Sequence, residues 1–161
     1  MSENNDTKQA NNETEQKFAI NKIFIKDVSF ESPNSPEQFT VDWKPESNLE
    51  LNTNGRPLEK NVYEVNLALT VTVKNNEQIA YLVEIQQCGI FSISGFNEND
   101  LSHMLGSFCP NILFPYAREA VSDLVTRGGF PQMLLAPVNF DALYAQHIQD
   151  MQKEAEEQKA H

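Results

Sequence analysis

The chain has 161 residues, 40% hydrophobic and 22% charged, with a formal net charge of −11. That length fits one domain with a single sizeable core. The acidity excludes a binder of phosphate backbones, which needs clustered Lys and Arg, and suits basic partners instead; residues 18–140 alone carry 14 acids against 8 bases, so the imbalance belongs to the folded part.

Residues 1–16 are rich in Asn, Glu, Gln and Thr, lack the apolar run of a secretory signal, and are expected to be a disordered tail. A first strand is predicted from Phe18 to Phe30. Alternation puts Phe18, Ile20, Phe24, Val28 and Phe30 on one face and Ile23, Ile25, Asp27, Ser29 and Glu31 on the other. Pro33 and Pro36 end it, since prolines so close cannot serve a sheet interior. A weaker strand falls at Phe39–Trp43 or at Asn48–Thr53, with Pro45 between.

Val62–Val73 is the clearest element. Tyr63, Val65, Leu67, Leu69, Val71 and Val73 share a face, and Glu64, Asn66, Thr70 and Thr72 take the other. The polar turn Lys74-Asn75-Asn76-Glu77 leads into an antiparallel partner, Ile79–Phe91. Its Ile79, Tyr81, Val83 and Ile85 share one face, its Leu82 and Glu84 the other.

After Gly95 the period changes to that of a helix: Leu113, Tyr116, Ala117, Ala120, Val121, Leu124 and Val125 form a stripe, with Pro115 near the start and Gly128-Gly129 as the stop. A second helix starts near Asn139, capped by Asn139 or Asp141, with Leu143, Tyr144, His147, Ile148 and Met151 on one side. From residue 152 the chain reads as a fraying helix end or a free acidic tail. Strands followed by helices indicate an α+β fold with an antiparallel sheet. No segment approaches the roughly 18 apolar residues of a membrane span. Two cysteines, Cys88 and Cys109, make no secreted-type disulfide framework, so the cytosol is the expected compartment.

Chemistry is sparse. His103 and Cys109 lack the nearby partners of a metal site, and Cys109 reads as a small buried hydrophobe. The run Gly89-Ile90-Phe91-Ser92-Ile93-Ser94-Gly95 is not a nucleophile elbow, and Gly128-Gly129 lacks phosphate-loop spacing. Asp27 and Glu31 lie about 13 Å apart along one strand face, too far for a paired acid and base. They form either a solvated acidic face or an electrostatic docking site. Phe39, Trp43, Phe114, Tyr116, Phe130, Phe140 and Tyr144 gather near loops and helix starts, and suit either core packing or a sequence-tolerant groove.

Three stretches resemble the SecB family: Cys109-Pro110-Asn111-Ile112-Leu113-Phe114-Pro115-Tyr116-Ala117-Arg118-Glu119; Phe130-Pro131-Gln132 with Leu135 through Leu143; and Lys26 through Glu31 together with Gly89-Ile90-Phe91-Ser92-Ile93. The resemblance runs from about Phe18 to Met151, giving a domain over 17–151 between tails 1–16 and 152–161. Asn52–Lys60 departs from the pattern, and Cys88 stands where a smaller residue is usual.

The resemblance implies a four-stranded antiparallel sheet extended across a dimer, with two dimers packed through helices into a homotetramer. It implies an ATP-independent holdase, not an enzyme and without a cofactor, that binds unfolded precursors and delivers them to the SecA ATPase. Asp27, Glu31, Leu82 and Glu84 match positions that dock SecA, whose basic tail carries its own zinc. Phe39, Trp43, Phe130, Phe140 and Tyr144 are the expected client groove. Tyr81, Val83, Ile85 and Gln87 are expected at or near a subunit contact. Neither nucleic-acid binding nor membrane insertion is implied. The rivals are a SecB-like regulator without an export role and a small acidic enzyme.

Overall fold

The computed structural model describes residues 14–161, so the expected tail 1–16 falls almost wholly outside the described residues. Four strands come first: β1 (Lys17–Glu31), β2 (Pro45–Glu59), β3 (Val62–Asn75) and β4 (Gln78–Ser94). Three helices follow: α1 (Glu98–His103), α2 (Cys109–Arg127) and α3 (Phe140–Lys159). All strand pairings are antiparallel, in the order β1-β4-β3-β2.

The central hairpin follows its sequence pattern. Asn76 and Glu77 turn it at φ 53° and 65°, the left-handed values that a tight hairpin turn requires at both central positions. Val65, Leu67, Leu69, Val71 and Val73 of β3 and Tyr81, Val83, Ile85, Phe91 and Ile93 of β4 are buried on one face. Across them lies α2, whose Leu113, Ala117, Val121 and Val125 recur every four residues and are fully buried. At Gly89 a Cβ would stand 2.6 Å from the Phe91 ring and 3.1 Å from Leu113, so only glycine lets helix and sheet approach this closely.

The pattern misleads at three places. First, β1 carries two bulges, between Ile20 and Lys22 and between Ile25 and Asp27. Each extra residue reverses the alternation. Ile23 and Ile25 therefore lie opposite Gly89 and Gln87 on the helix side, whereas Phe24 lies opposite Cys88 on the outer side. Second, of the two places expected for the weaker strand, Asn48–Thr53 lies within β2, which also includes the divergent stretch Asn52–Glu59, whereas Phe39 sits in a single 3-10 turn, Glu37–Thr40. As an edge strand with mostly exposed side chains, β2 shows little alternation and is held by its pairing with β3.

Third, Pro115 lies inside a helix that begins much earlier. Asn97 caps α1 by accepting from Asp100 N at 2.8 Å. The chain then passes through a π-helical turn, Met104–Phe108, directly into α2. The Cys109 N–H bonds to Met104 O, five residues back. The widened turn thus ends just before Pro110, whose ring and missing N–H would break an ordinary α-helical bond to Gly106. At the other end of the chain, α3 stays helical to Lys159, with residues 152–159 all exposed.

The crossover from β1 to β2 is held by one buried amide. Asn75 Oδ1 accepts from Lys44 N at 2.8 Å, and its Nδ2 donates to Gln38 Oε1 at 3.1 Å and to Asp42 O at 3.0 Å. On the outer face, Glu64 Oε1 receives Lys26 Nζ at 3.1 Å and Arg56 Nε at 3.2 Å, tying β1, β3 and β2 together. Burial alone would raise the Glu64 carboxyl, but the bonds from Lys26 and Arg56 outweigh it and hold the group below its ordinary range.

Two predictions follow from these contacts. Asn75→Ala leaves the crossover groups without partners and should cost about 2–3 kcal/mol, read from the urea midpoint. Glu64 is a carboxylate with a depressed folded value, so its contribution is complete above the ordinary glutamate range and disappears as pH falls through the lower folded value. The Glu64→Gln variant should therefore lose less stability than wild type between neutral pH and the acid range, measured by thermal unfolding.

Candidate functional site

The sheet separates two surfaces of different chemistry. On the outer face, register places Asp27 beside Gln86, Ser29 beside Glu84 and Glu31 beside Leu82. Because β1 and β4 are neighbours, Asp27, Glu31, Leu82 and Glu84 share one face of adjacent strands. The three carboxylate residues are exposed and Leu82 is half-buried. Among the described residues, no cation lies within ion-pair distance of Asp27, Glu31 or Glu84. The acidic row continues through Thr70, opposite Glu84, to Glu50, opposite Thr70. Glu50 escaped sequence reasoning because β2 lacks the alternation that would assign its face.

On the helix side, the expected aromatic groove divides into two clusters. Phe39, Trp43 and Tyr81 surround Phe130, with ring centroids 5.0, 5.6 and 4.9 Å from it. Phe39 is half exposed, Trp43 half-buried and Phe130 buried. Phe140 and Tyr144 lie elsewhere: Phe140 packs edge-on to Phe114 at 5.8 Å, and Tyr144 edge-on to His103 at 5.4 Å. They border a cavity of about 530 Å³ whose other walls are Leu51–Gly55 of β2 and Leu105. Leu143, Ile148 and Met151 complete its apolar lining. The helical spacing of α3 had already put these three on the same side as Tyr144; their opposite wall in β2 had no sequence signal.

Tyr81, Val83, Ile85 and Gln87 lie inside the single chain, at most 3% exposed and beneath the helices. The amide of Gln87 donates to Phe24 O at 3.1 Å, close to the second bulge of β1. These four side chains belong to the core of the single chain, as the apolar alternation of β4 requires.

The remaining reactive groups are poorly placed for catalysis. Ser107 Oγ donates to Asp141 Oδ1, and His103 Nε2 lies 2.8 Å from the same oxygen. Serine and histidine thus address one carboxylate instead of each other, so the hydroxyl is not hydrogen-bonded to the imidazole that would activate it. Burial pushes the Cys109 thiol up to about 12 and raises that of Cys88, so neither favours a reactive thiolate. No group of three metal-ligating side chains occurs among the described residues. None of their helices is long and apolar enough to cross a membrane.

Comparison with known proteins identifies the family. The family profile of SecB, preprotein translocase subunit SecB, matches residues 11–151. A protein-export protein SecB of Methylococcus capsulatus is 56% identical over 151 residues, covering 94% of this chain and 97% of the relative. Another, from Pseudomonas syringae pv. tomato, is 55% identical over 147 residues, covering 91% of this chain and 90% of the relative. A SecB-like chaperone of Mycobacterium tuberculosis, solved with a peptide from an antitoxin, shares the fold. Its TM-score is 0.64 at 17% identity, over 75% of this chain and 90% of that one. The chain belongs to the SecB family of protein-export chaperones.

Proposed function

We propose that this chain works in the cytoplasm as an ATP-independent holdase, keeping precursors unfolded and delivering them to SecA. The observation that carries the proposal is the separation of two accessible surfaces by one sheet. The outer face offers unpaired carboxylates around Leu82, and the helix side offers apolar surface that the protomer leaves open. Apolar burial is non-directional, so a groove between β2 and α3 suits many client sequences, with free strand-edge groups as supplementary partners. The peptide carried by the Mycobacterium tuberculosis neighbour is compatible with that reading.

The assembly we propose is a tetramer built as a dimer of dimers. β1 is an edge strand whose helix-side residues Ile20, Ile25 and Val28 are 47%, 49% and 41% exposed. An edge of this kind is a template for pairing with a second copy, which would extend the sheet and cover those side chains. On α2, Tyr116 is 49% exposed and offers the helices apolar area for a second contact. The SecB-like chaperone domain is assigned to 17–151, with 1–16 and 152–161 as tails.

Docking of SecA is assigned to Asp27, Glu31, Leu82 and Glu84, which together suit a basic, zinc-bearing tail. Exposed charge pairs contribute only about 0–1 kcal/mol each, so the patch acts collectively. Titration of the purified tail against Asp27→Asn/Glu31→Gln should show about tenfold weaker binding at low salt. Wild-type affinity should fall as salt rises, while tetramer mass and client binding stay unchanged. Tail binding insensitive to both salt and these substitutions would remove the docking assignment and favour a SecB-like regulator without an export role.

Client binding has a local reporter. Trp43 is the only tryptophan and packs on Phe130 at 5.6 Å. Saturation with an unfolded, non-native chain should shift its emission, and Trp43→Ala should weaken that binding several-fold. Unchanged emission together with normal binding by the variant would exclude the Phe39–Trp43 cluster and leave the cavity beside α3 as the groove.

A further inference from the structure

The position of α3 depends on few contacts. Only Phe140 of its twenty residues is buried, and the preceding segment 128–139 contains neither helix nor strand. Its main neighbour is the π-helical turn Met104–Phe108. Three attachments hold its first turns to that π turn and to the helices on either side of it. Phe140 packs on Phe114. The Tyr144 ring lies over Gly106, where a Cβ would come within 2.6 Å of it. Asp141, in the first turn of α3, accepts from Ser107 Oγ and lies 2.8 Å from His103 Nε2. His103 and Ser107 stand four residues apart around the π turn, and both reach one oxygen of Asp141.

We propose that Asp141 is the positioning residue of α3: latched by His103 and Ser107, it sets the angle of the helix and so the width of the cavity between α3 and β2. The cavity takes one wall from Leu51–Gly55 and another from Phe140, Tyr144, Ile148 and Met151, so tilting α3 about its first turn moves a whole wall. The consequence for clients rests on reading that cavity as part of the groove.

The latch has an acid limit. Hydrogen bonds from Ser107 and then His103 hold the Asp141 carboxyl below its ordinary range. A carboxylate depressed on folding contributes fully above the ordinary range and loses that contribution as pH falls through its lower folded value. Among the residues lining this cavity and the smaller one beside Asp141, the other titratable side chains are His103, Tyr144 and His147. β2 faces the cavity with Asn52, Thr53 and Asn54, which carry no charge.

The test is amide exchange across α3 in the full tetramer, with client affinity measured on the same samples. Loss of a charge-assisted hydrogen bond at an exposed site should lower protection of residues 142–151 about threefold to tenfold in Asp141→Ala, and less in Ser107→Ala. Protection of Val121–Val125 in α2 should stay as in wild type, which reports that the variants are folded. In wild type, α3 protection should fall as pH enters the acid range, whereas Asp141→Asn should show no such step. Client affinity should drop several-fold with the loosening. Unchanged α3 protection in Asp141→Ala, or a wild-type acid step retained in Asp141→Asn, overturns the latch. Loosened α3 with unchanged client affinity leaves the latch standing and overturns the client reading of the cavity.

Discussion

Everything in this protomer is arranged around the contact between the apolar stripe of α2 and the inner face of the β3–β4 hairpin. Leu113, Ala117, Val121 and Val125 meet a surface of Val, Leu, Ile and Phe that is almost free of solvent. That contact is made close by the missing side chain at Gly89. Because one long helix covers two central strands, the flanking strands β1 and β2 receive incomplete cover. Exposed Ile20, Ile25, Val28 and Leu49 are the direct result. A fold that buried all of its sheet under one helical layer would leave none of these apolar side chains exposed.

The outer face follows a different logic. With no helix above it, it is polar along most of its rows, and its one well-buried acid, Glu64, is matched by Lys26 and Arg56. The long stem of Lys26 spans from β1 across β4 to Glu64 on β3, and Cys88 lies buried between Phe24 and Asn66 on the same face. Asp27, Glu31 and Glu84 lie outside this clasp and are exposed. Structural and accessible charges are thus separated along a single face.

The helical layer is also irregular where it matters. Pro110 and Pro115 sit in a run that is helical from Glu98 to Arg127, and the π turn ahead of Pro110 absorbs the first of them. That turn also carries the groups that receive α3, namely Gly106 and Ser107, with His103 just before it. An apolar spacing at Leu101, Met104, Leu105 and Phe108, behind the Asn97 cap, was present in the sequence and marks this helix. The loop-like composition around Gly95 and Asn97 obscured it.

What the sequence by itself determined is what short-range periodicity encodes. The β3–β4 hairpin, the α2 stripe, the start of α3 near Asn139 and the α+β class all rest on spacing within one element, which one face of one element must satisfy. The outward set Asp27, Glu31, Leu82 and Glu84 was legible for the same reason, since the bulges of β1 lie before Asp27 and leave the final alternation intact. Tertiary structure decided whatever depends on a partner element. β2 exists because β3 pairs with it, not because Asn, Gly and Pro favour strands. Ile23 and Ile25 changed faces because bulges answer to the register of β4. Phe130 and Phe140, equivalent by composition, went to separate clusters because Phe130 packs on Tyr81 of β4 whereas Phe140 packs on Phe114 of α2. Where no bulge intervenes, periodicity fixes which way a side chain points from its own backbone; only packing fixes what stands opposite it.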